Sequence, residues 1–194
     1  MRYIENRYLE VNAAMKKCRK LLTGFTLIIG VLFSMTVYGS TESETEDKQS
    51  DSDILVVYFS RTGEQYNVGE IDKGNTAIIA EMIADETGAD TFEILPEEDY
   101  YPYTYDELTD VAKQEQKENA RPAYAGEVPD LDQYKPVFIG SPVWWGDWPM
   151  IMYTFFEENA DALAGKILIP FSTHEGSGLA GFDRFAAACS WLQS

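Results

Sequence analysis

The sequence has few of the residues from which metal sites and disulfide frameworks are built. Its 194 residues include two cysteines, Cys18 and Cys189, and one histidine, His174. Cys18 lies in a basic stretch ahead of an apolar run, so we expect Cys189 to be the one thiol of the folded domain. A single thiol and a single histidine exclude a disulfide framework, a cysteine-ligated metal cage and a multi-histidine metal site.

Positive charge is also scarce. Fifteen Lys and Arg residues oppose 33 Asp and Glu residues, which gives a formal net charge of −18. Residues 51–194 hold eight basic and 27 acidic side chains, a charge of −19. A domain this acidic repels nucleic acid and anionic lipid. The charge predicts either a solvated acidic surface or a surface for a cationic partner.

The first forty residues are typical of an export signal. A basic head, Met15–Lys20, precedes the uncharged apolar run Leu21–Phe33, and small residues follow up to Ser40. We expect residues 1–39 to be a signal or membrane-targeting segment. It is either cleaved after Gly39 or kept as an anchor, because the uncharged stretch is just long enough to span a bilayer.

Two details complete this N-terminal region. The first fourteen residues contain Glu5 and Glu10 and fit a signal poorly, so translation starting at Met15 is an alternative to Met1. Residues 40–52 are polar and acidic, which predicts a disordered tether. A basic flank stays inside the membrane, so the domain that follows is expected outside the cytoplasm.

From residue 53 the hydrophobic pattern alternates between strands and helices. Continuous apolar runs predict buried strands at 54–59, 136–140 and 166–171, and an alternating run predicts an edge strand at 91–95. Helical spacing or composition predicts helices at 76–87, 105–119 and 150–160. This alternation predicts an α/β fold with a doubly wound parallel sheet.

The loop after the first buried strand resembles a phosphate cradle. Hydroxyls of Ser60, Thr62 and Thr76 can donate to phosphate oxygens, Gly63 allows close backbone approach, and Asn75 adds an amide at a helix N-terminus. The spacing of two glycines before Asn75 also imitates a triphosphate-binding loop, but asparagine replaces the required lysine. The loop therefore favours one phosphate over three, with an ordinary Ser- and Gly-rich turn as the alternative.

The loops after the next two buried strands carry aromatic and imidazole groups. Trp144 and Trp145 are adjacent, so both cannot point into one core and at least one is expected at the surface, where a planar ring could stack on it. His174 follows the last buried strand, and ligand contact and a structural role are equally open for it. Tyr100, Tyr101, Tyr103 and Tyr105 are expected to cover the edge of the sheet. In a parallel sheet these loops meet at the carboxyl ends of the strands.

Taken together, the segments VVYFSRTG, KGNT, SPVWWG and PFSTHEGSGL resemble the flavodoxin family, in particular its bacterial branch with an enlarged first phosphate loop. The resemblance covers about residues 53–182. It implies non-covalent FMN, with the phosphate at Ser60–Thr62 and Asn75–Thr76. It places the flavin ring between two loops, the first containing Pro142, Val143, Trp144, Trp145 and Gly146 and the second containing His174, Gly176 and Gly178.

The resemblance also implies electron transfer with a redox partner protein, which the acidic charge suggests has a basic docking surface. It leaves open whether the protein is an electron carrier or an FMN-dependent oxidoreductase. A flavin- or phosphate-binding module without redox activity is the alternative. Relatives of this type have the strand order 2-1-3-4-5. This sequence ends sixteen residues after Gly178, so we expect the order 2-1-3-4, an incomplete domain over residues 53–194, and an exposed edge beside the fourth strand.

Overall fold

The structure is a computed structural model that describes residues 52–97 and 100–189. The expected export signal at 1–39 lies outside the described residues, as does the expected tether at 40–52 apart from Ser52. Within the part of the chain that is described, no helix has both the length and the apolar character needed to cross a membrane.

The described residues form a four-stranded parallel sheet, two small antiparallel ladders and five α-helices. The strands are β1 Leu55–Tyr58, β2 Gly63–Gln65, β3 Gly69–Ile71, β4 Asp90–Glu93, β5 Leu95–Pro96, β6 Tyr124–Ala125, β7 Pro136–Pro142 and β8 Ile167–Thr173. The helices are α1 Asn75–Thr87, α2 Tyr105–Glu118, α3 Met150–Glu158, α4 Ala160–Leu163 and α5 Phe182–Ala188, with a short 3₁₀ helix at Leu131–Gln133.

The order of the main sheet is β4-β1-β7-β8, and every pairing in it is parallel. Numbered by the large strands alone, this is 2-1-3-4, so the predicted doubly wound topology is confirmed. The register aligns Tyr58 with Glu93 on one side and with Gly140 on the other. The loops after β1, β7 and β8 therefore leave the sheet at the same edge.

The core is divided between the two faces of the sheet, as the alternation of side chains along β1 requires. On one face, Val56 and Tyr58 pack against Ala77 and Ala80 of α1. On the other face, Leu55 and its neighbours belong to a larger cluster with the buried residues of α3. Every residue from Met150 to Phe156 is buried, which explains why α3 reads as almost continuously apolar.

The segment between Gly63 and Ile71 folds as an antiparallel hairpin, where the sequence predicted only an enlarged loop. The hairpin is attached to α2. The Glu64 carboxylate accepts the backbone N–H of Tyr105 at 2.9 Å, and the rings of Tyr66 and Tyr105 lie 5.5 Å apart. Glu64 therefore satisfies a donor at the start of α2, and the two tyrosines join the hairpin to the helix.

The strand β8 has a neighbour on one side only among the described residues, as expected for the fourth strand. Ile167 at its start is 64% exposed. The carboxyl end of the same strand, at Ser172 and Thr173, reaches the cleft described next.

Candidate functional site

A cleft of about 610 Å³ lies at the carboxyl ends of β1, β7 and β8. It is lined by residues from all three predicted loops, from the β2–β3 hairpin and from α2. The predicted site residues on its surface are Asn75, Pro142, Val143, Trp144, Trp145, Gly146 and His174. The remaining predicted residues, Ser60, Thr62, Gly63, Thr76, Gly176 and Gly178, lie outside its lining.

The first loop closes tightly on the N-terminus of α1. The Ser60 hydroxyl accepts the backbone N–H of Ala77, in the first turn of the helix, at 3.0 Å. A Cβ atom on Gly74 would lie 2.1 Å from the Ser60 Oγ and within 2.8 Å of the Arg61 backbone. The first turn contains no acidic residue. Only glycine fits at position 74, and the helix end presents N–H groups without an opposing carboxylate.

The outer residues of this loop take separate positions. Gly63 is buried against Tyr103, whose carbonyl and ring would lie 3.1–3.3 Å from an added Cβ, so it starts the hairpin and does not face the cleft. Thr62 is exposed. Its carbonyl accepts a hydrogen bond from the guanidinium of Arg61 at 3.1 Å, which braces the loop.

A hydroxyl pair joins the first loop to the third. The Oγ1 atoms of Thr76 and Thr173 lie 2.7 Å apart, and Thr76 is almost fully buried. Thr173 ends β8 and lines the cleft. This contact fixes the start of α1 relative to the end of β8.

The second loop is a two-residue reverse turn from Trp144 to Asp147. The backbone N–H of each of these residues donates to the carbonyl of the other, at 2.7 and 3.1 Å. Trp145 has φ 51° and Gly146 has φ 77°, and two successive left-handed residues define a type I′ turn. The left-handed conformation is strained for a bulky residue such as tryptophan, and strain of this kind concentrates at functional sites.

The turn presents its two tryptophans differently. Trp145 is 54% exposed, its indole N–H donates to the Thr109 carbonyl at 2.8 Å, and the Lys113 ammonium lies 5.1 Å from its ring centre. Trp144 is partly buried and packs edge-on against Phe59 and Tyr101 at 5.4 and 5.2 Å. The prediction that at least one tryptophan stands at the surface is confirmed by Trp145.

Asp147 anchors the turn from below. It is buried, and its Oδ1 accepts the backbone N–H of Trp148 at 2.8 Å and the Tyr153 hydroxyl at 2.7 Å. Its Oδ2 accepts from the guanidinium of Arg184 on α5, which also lies 5.1 Å from the centre of the Tyr153 ring. Burial, together with the neighbouring Asp147 carboxylate, raises the pKa of the Tyr153 phenol. The turn is thereby tied to both α3 and α5.

His174 organises the third loop through one ring nitrogen. Its Nδ1 accepts the backbone N–H groups of Gly176 and Gly178 at 3.0 and 3.2 Å. An accepting Nδ1 carries no proton, so the neutral imidazole is protonated at Nε2, and Nε2–H is a donor. The predicted glycines therefore act through His174, by shaping the loop that holds it at the cleft.

One face of α2 forms a wall of the cleft that sequence reasoning missed. Tyr105, Leu108, Thr109 and Ala112 all line it, at the i, i+3, i+4, i+7 spacing of one helix face. Tyr105, which the sequence analysis assigned to the edge of the sheet, lines the cleft as part of this face. The spacing is visible in the sequence, but a largely polar helix gave no reason to assign this face to a site.

The cleft has little charge of its own. Among residues 52–97 and 100–189, Glu175 is the one acidic residue that lines it, and no lysine or arginine does. Burial, followed by nearby Tyr66, Asp106 and Glu175, raises the pKa of the Tyr105 phenol. Among the same residues, no cluster of side chains could hold a metal ion. The cleft therefore offers aromatic surface, hydroxyls, amides and backbone donors.

Comparison with protein families matches residues 53–188 to the flavodoxin model. The chain belongs to the flavodoxin family.

Solved structures support the same assignment. A proposed flavoprotein of Bacteroides eggerthii is 31% identical, with a TM-score of 0.56 over 71% of this chain and 80% of its own. A flavoprotein of Lactobacillus acidophilus, solved in complex with FMN, shares the fold at 20% identity, with a TM-score of 0.59 over 72% of this chain and 87% of its own. A comparison with curated proteins gives no match.

Proposed function

We propose that the cleft binds FMN non-covalently and that the protein transfers electrons through it. The observation that carries the proposal is the juxtaposition of two features at one sheet edge. One is a helix N-terminus closed by Ser60 and Gly74, and the other is a strained turn that holds Trp145 at the surface. The Lactobacillus acidophilus flavoprotein, which shares the fold, was solved with FMN.

The phosphate would lie at the N-terminus of α1. Asn75 faces the cleft there, and the first backbone N–H groups of an α-helix have no partner within the helix. Gly74 lets Ser60 and the Arg61 backbone pack closely against the start of the helix, and the hydroxyls of Ser60, Thr62 and Thr76 belong to the same region of the chain. Asn75 stands where a triphosphate-binding loop has its lysine, so this end suits a single phosphate ester.

The flavin ring would lie between the Trp144–Asp147 turn and the His174 loop. The exposed face of Trp145 offers a stacking surface, and the Nε2–H of His174 offers a donor to a ring heteroatom. Leu108 and Ala112 on α2 supply apolar contact on the same side. Bound flavin would supply one- or two-electron transfer. The residues of the chain bind it, orient it and restrict its access to water.

The acidic charge bears on potential and on partners. Negative surroundings disfavour an anionic reduced flavin, so they lower its potential. They also favour a redox partner with a basic docking surface. The identity of the electron acceptor would distinguish an electron carrier from an FMN-dependent oxidoreductase. The N-terminal pattern adds the proposal that it works outside the cytoplasm, and sequencing the N-terminus of the mature protein tests this.

The test of the proposed function is a calorimetric titration of the protein with FMN, FAD, riboflavin and ATP. We expect FMN to bind most tightly. Riboflavin should bind less tightly because it lacks the phosphate, and ATP should bind far more weakly than FMN. Binding of ATP as tight as that of FMN would contradict the proposal. Reoxidation of the reduced protein by a basic electron-acceptor protein, slowed by salt, would support electron transfer.

A further inference from the structure

A buried carboxylate lies one aromatic layer behind the cleft. Glu115 on α2 is only 4% exposed, and its Oε2 accepts the Tyr101 hydroxyl at 3.3 Å. Its Oε1 is buried and has no hydrogen-bond partner among the described residues. No lysine or arginine within those residues forms an ion pair with it. A buried carboxylate with one satisfied oxygen and no cation is costly to ionise.

Two contacts connect Glu115 to the wall of the cleft. The ring of its hydrogen-bond donor, Tyr101, packs edge-on against Trp144 at 5.2 Å. The next residue, Gln116, donates its side-chain amide to the Trp144 carbonyl at 2.9 Å. Trp144 itself lines the cleft. Glu115 therefore lies close to the turn, in a region of packed aromatic rings where charges are weakly screened.

The titratable groups that face this carboxyl are the phenols of Tyr100 and Tyr101, both from the segment before α2. Burial raises the pKa of the Glu115 carboxyl to about 7, and the two phenols oppose that rise. Burial, then the Glu115 carboxylate and finally Glu118 on the same helix, raise the pKa of the Tyr100 phenol. A carboxyl in this environment changes its protonation when a charge appears nearby.

We propose that Glu115 is a redox-linked proton site, which takes up a proton when the adjacent cleft gains negative charge. The inference rests on the proposed function. In the linked step, a reductant would supply the electron to the bound flavin, and a hydronium ion of the solvent would transfer a proton to Glu115, so that one O–H bond of hydronium breaks as one O–H bond forms at the carboxylate. No bond of the protein breaks. Glu115 does not line the cleft, so it is not a catalytic residue and would act on the flavin through its charge alone.

The experiment measures the midpoint potential of FMN-loaded protein from well below to well above pH 7, with dithionite as the reductant. E115Q is the test variant, because glutamine mimics the protonated carboxyl without titrating. E118Q is the matched control, since it removes one exposed carboxylate from the same helix. Y101F is a second variant, which removes a hydroxyl that favours the ionised form. The apoprotein is examined separately, by NMR titration of its carboxyl carbons.

We expect the parent and E118Q to show a pH-dependent segment near neutral pH, with uptake of up to one additional proton per flavin. E115Q should lose this segment, and Y101F should move it to higher pH. In the apoprotein, one carboxyl should titrate far above the others, and it should be missing in E115Q.

Curves of the same shape for parent and E115Q would overturn the inference while FMN binding still stands. The inference would also be overturned if the Glu115 carboxyl titrated in the same pH range as the exposed carboxyls. A protein that takes up no FMN would overturn the proposed function, and this inference with it. Failure to bind FMN would be seen before any midpoint potential is measured.

Discussion

The indole N–H of Trp145 donates a hydrogen bond to the backbone carbonyl of Thr109 at 2.8 Å. The bond joins a strained turn after β7 to the face of α2 that lines the cleft. It fixes the orientation of a ring that is otherwise half exposed, on a backbone that tryptophan rarely adopts. A strained backbone that holds an exposed ring in one orientation is explained if a planar ligand stacks on that ring.

Replacing Trp145 by alanine should weaken FMN binding by about 1–3 kcal/mol through lost stacking, with little loss of stability. Trp144→Ala should weaken binding too, but it should also lower the melting temperature, because Trp144 packs against Phe59 and Tyr101. Calorimetric titration and thermal melting measure the two effects. Trp145→Phe is the control that keeps a six-membered aromatic ring and loses the N–H together with the five-membered ring. If both alanine variants bind FMN as the parent does, the aromatic wall is elsewhere.

Gly74→Ala should disrupt the phosphate end of the cleft selectively, because its Cβ would lie 2.1 Å from the Ser60 Oγ. We expect at least a tenfold loss of FMN affinity, about 1.4 kcal/mol or more, and a much smaller loss for riboflavin. Ile78→Ala, at an exposed position on the same helix, is the control. Equal losses for the two ligands would show that α1 does not hold the phosphate.

Asp147→Ala should destabilise the fold by about 2–4 kcal/mol, because it leaves the Trp148 N–H, the Tyr153 hydroxyl and Arg184 without their acceptor. Urea unfolding of Asp147→Ala, Arg184→Met and the double variant measures the coupling. The double variant should lose less than the sum of the single losses. Strict additivity would mean that α5 and the turn are independent.

The stability of the apoprotein should depend on Glu115 as pH rises. Its carboxyl has a raised pKa of about 7 in the folded state, so the folded state binds the proton more tightly than the unfolded chain does. The free energy of unfolding should therefore fall between the ordinary carboxyl pKa and about pH 7, by about 1–3 kcal/mol from this group. Urea unfolding of parent and Glu115→Gln should converge in acid and diverge towards neutral pH, with the variant the more stable. Parallel curves would contradict a buried, unpaired carboxyl.

The long apolar runs at β1, β7 and β8 were sufficient to predict a doubly wound parallel sheet, and the strand order followed from the resemblance to the flavodoxin family. The two adjacent tryptophans were sufficient to predict that at least one of them stands at the surface, and the structure shows that it is Trp145. Three other features could not be predicted. Asp147 and Arg184 meet only through tertiary packing. The hairpin at 63–71 has no strong strand pattern in the sequence. The face of α2 that lines the cleft is only partly apolar.

The most direct test of the account is the visible absorption of the protein mixed with FMN and passed through gel filtration. We expect oxidised flavin to elute with the protein at one per chain, and Gly74→Ala and Trp145→Ala to retain less under the same conditions. Protein that elutes colourless after saturation with FMN, while folded by circular dichroism, would contradict the claim that this cleft is a flavin site.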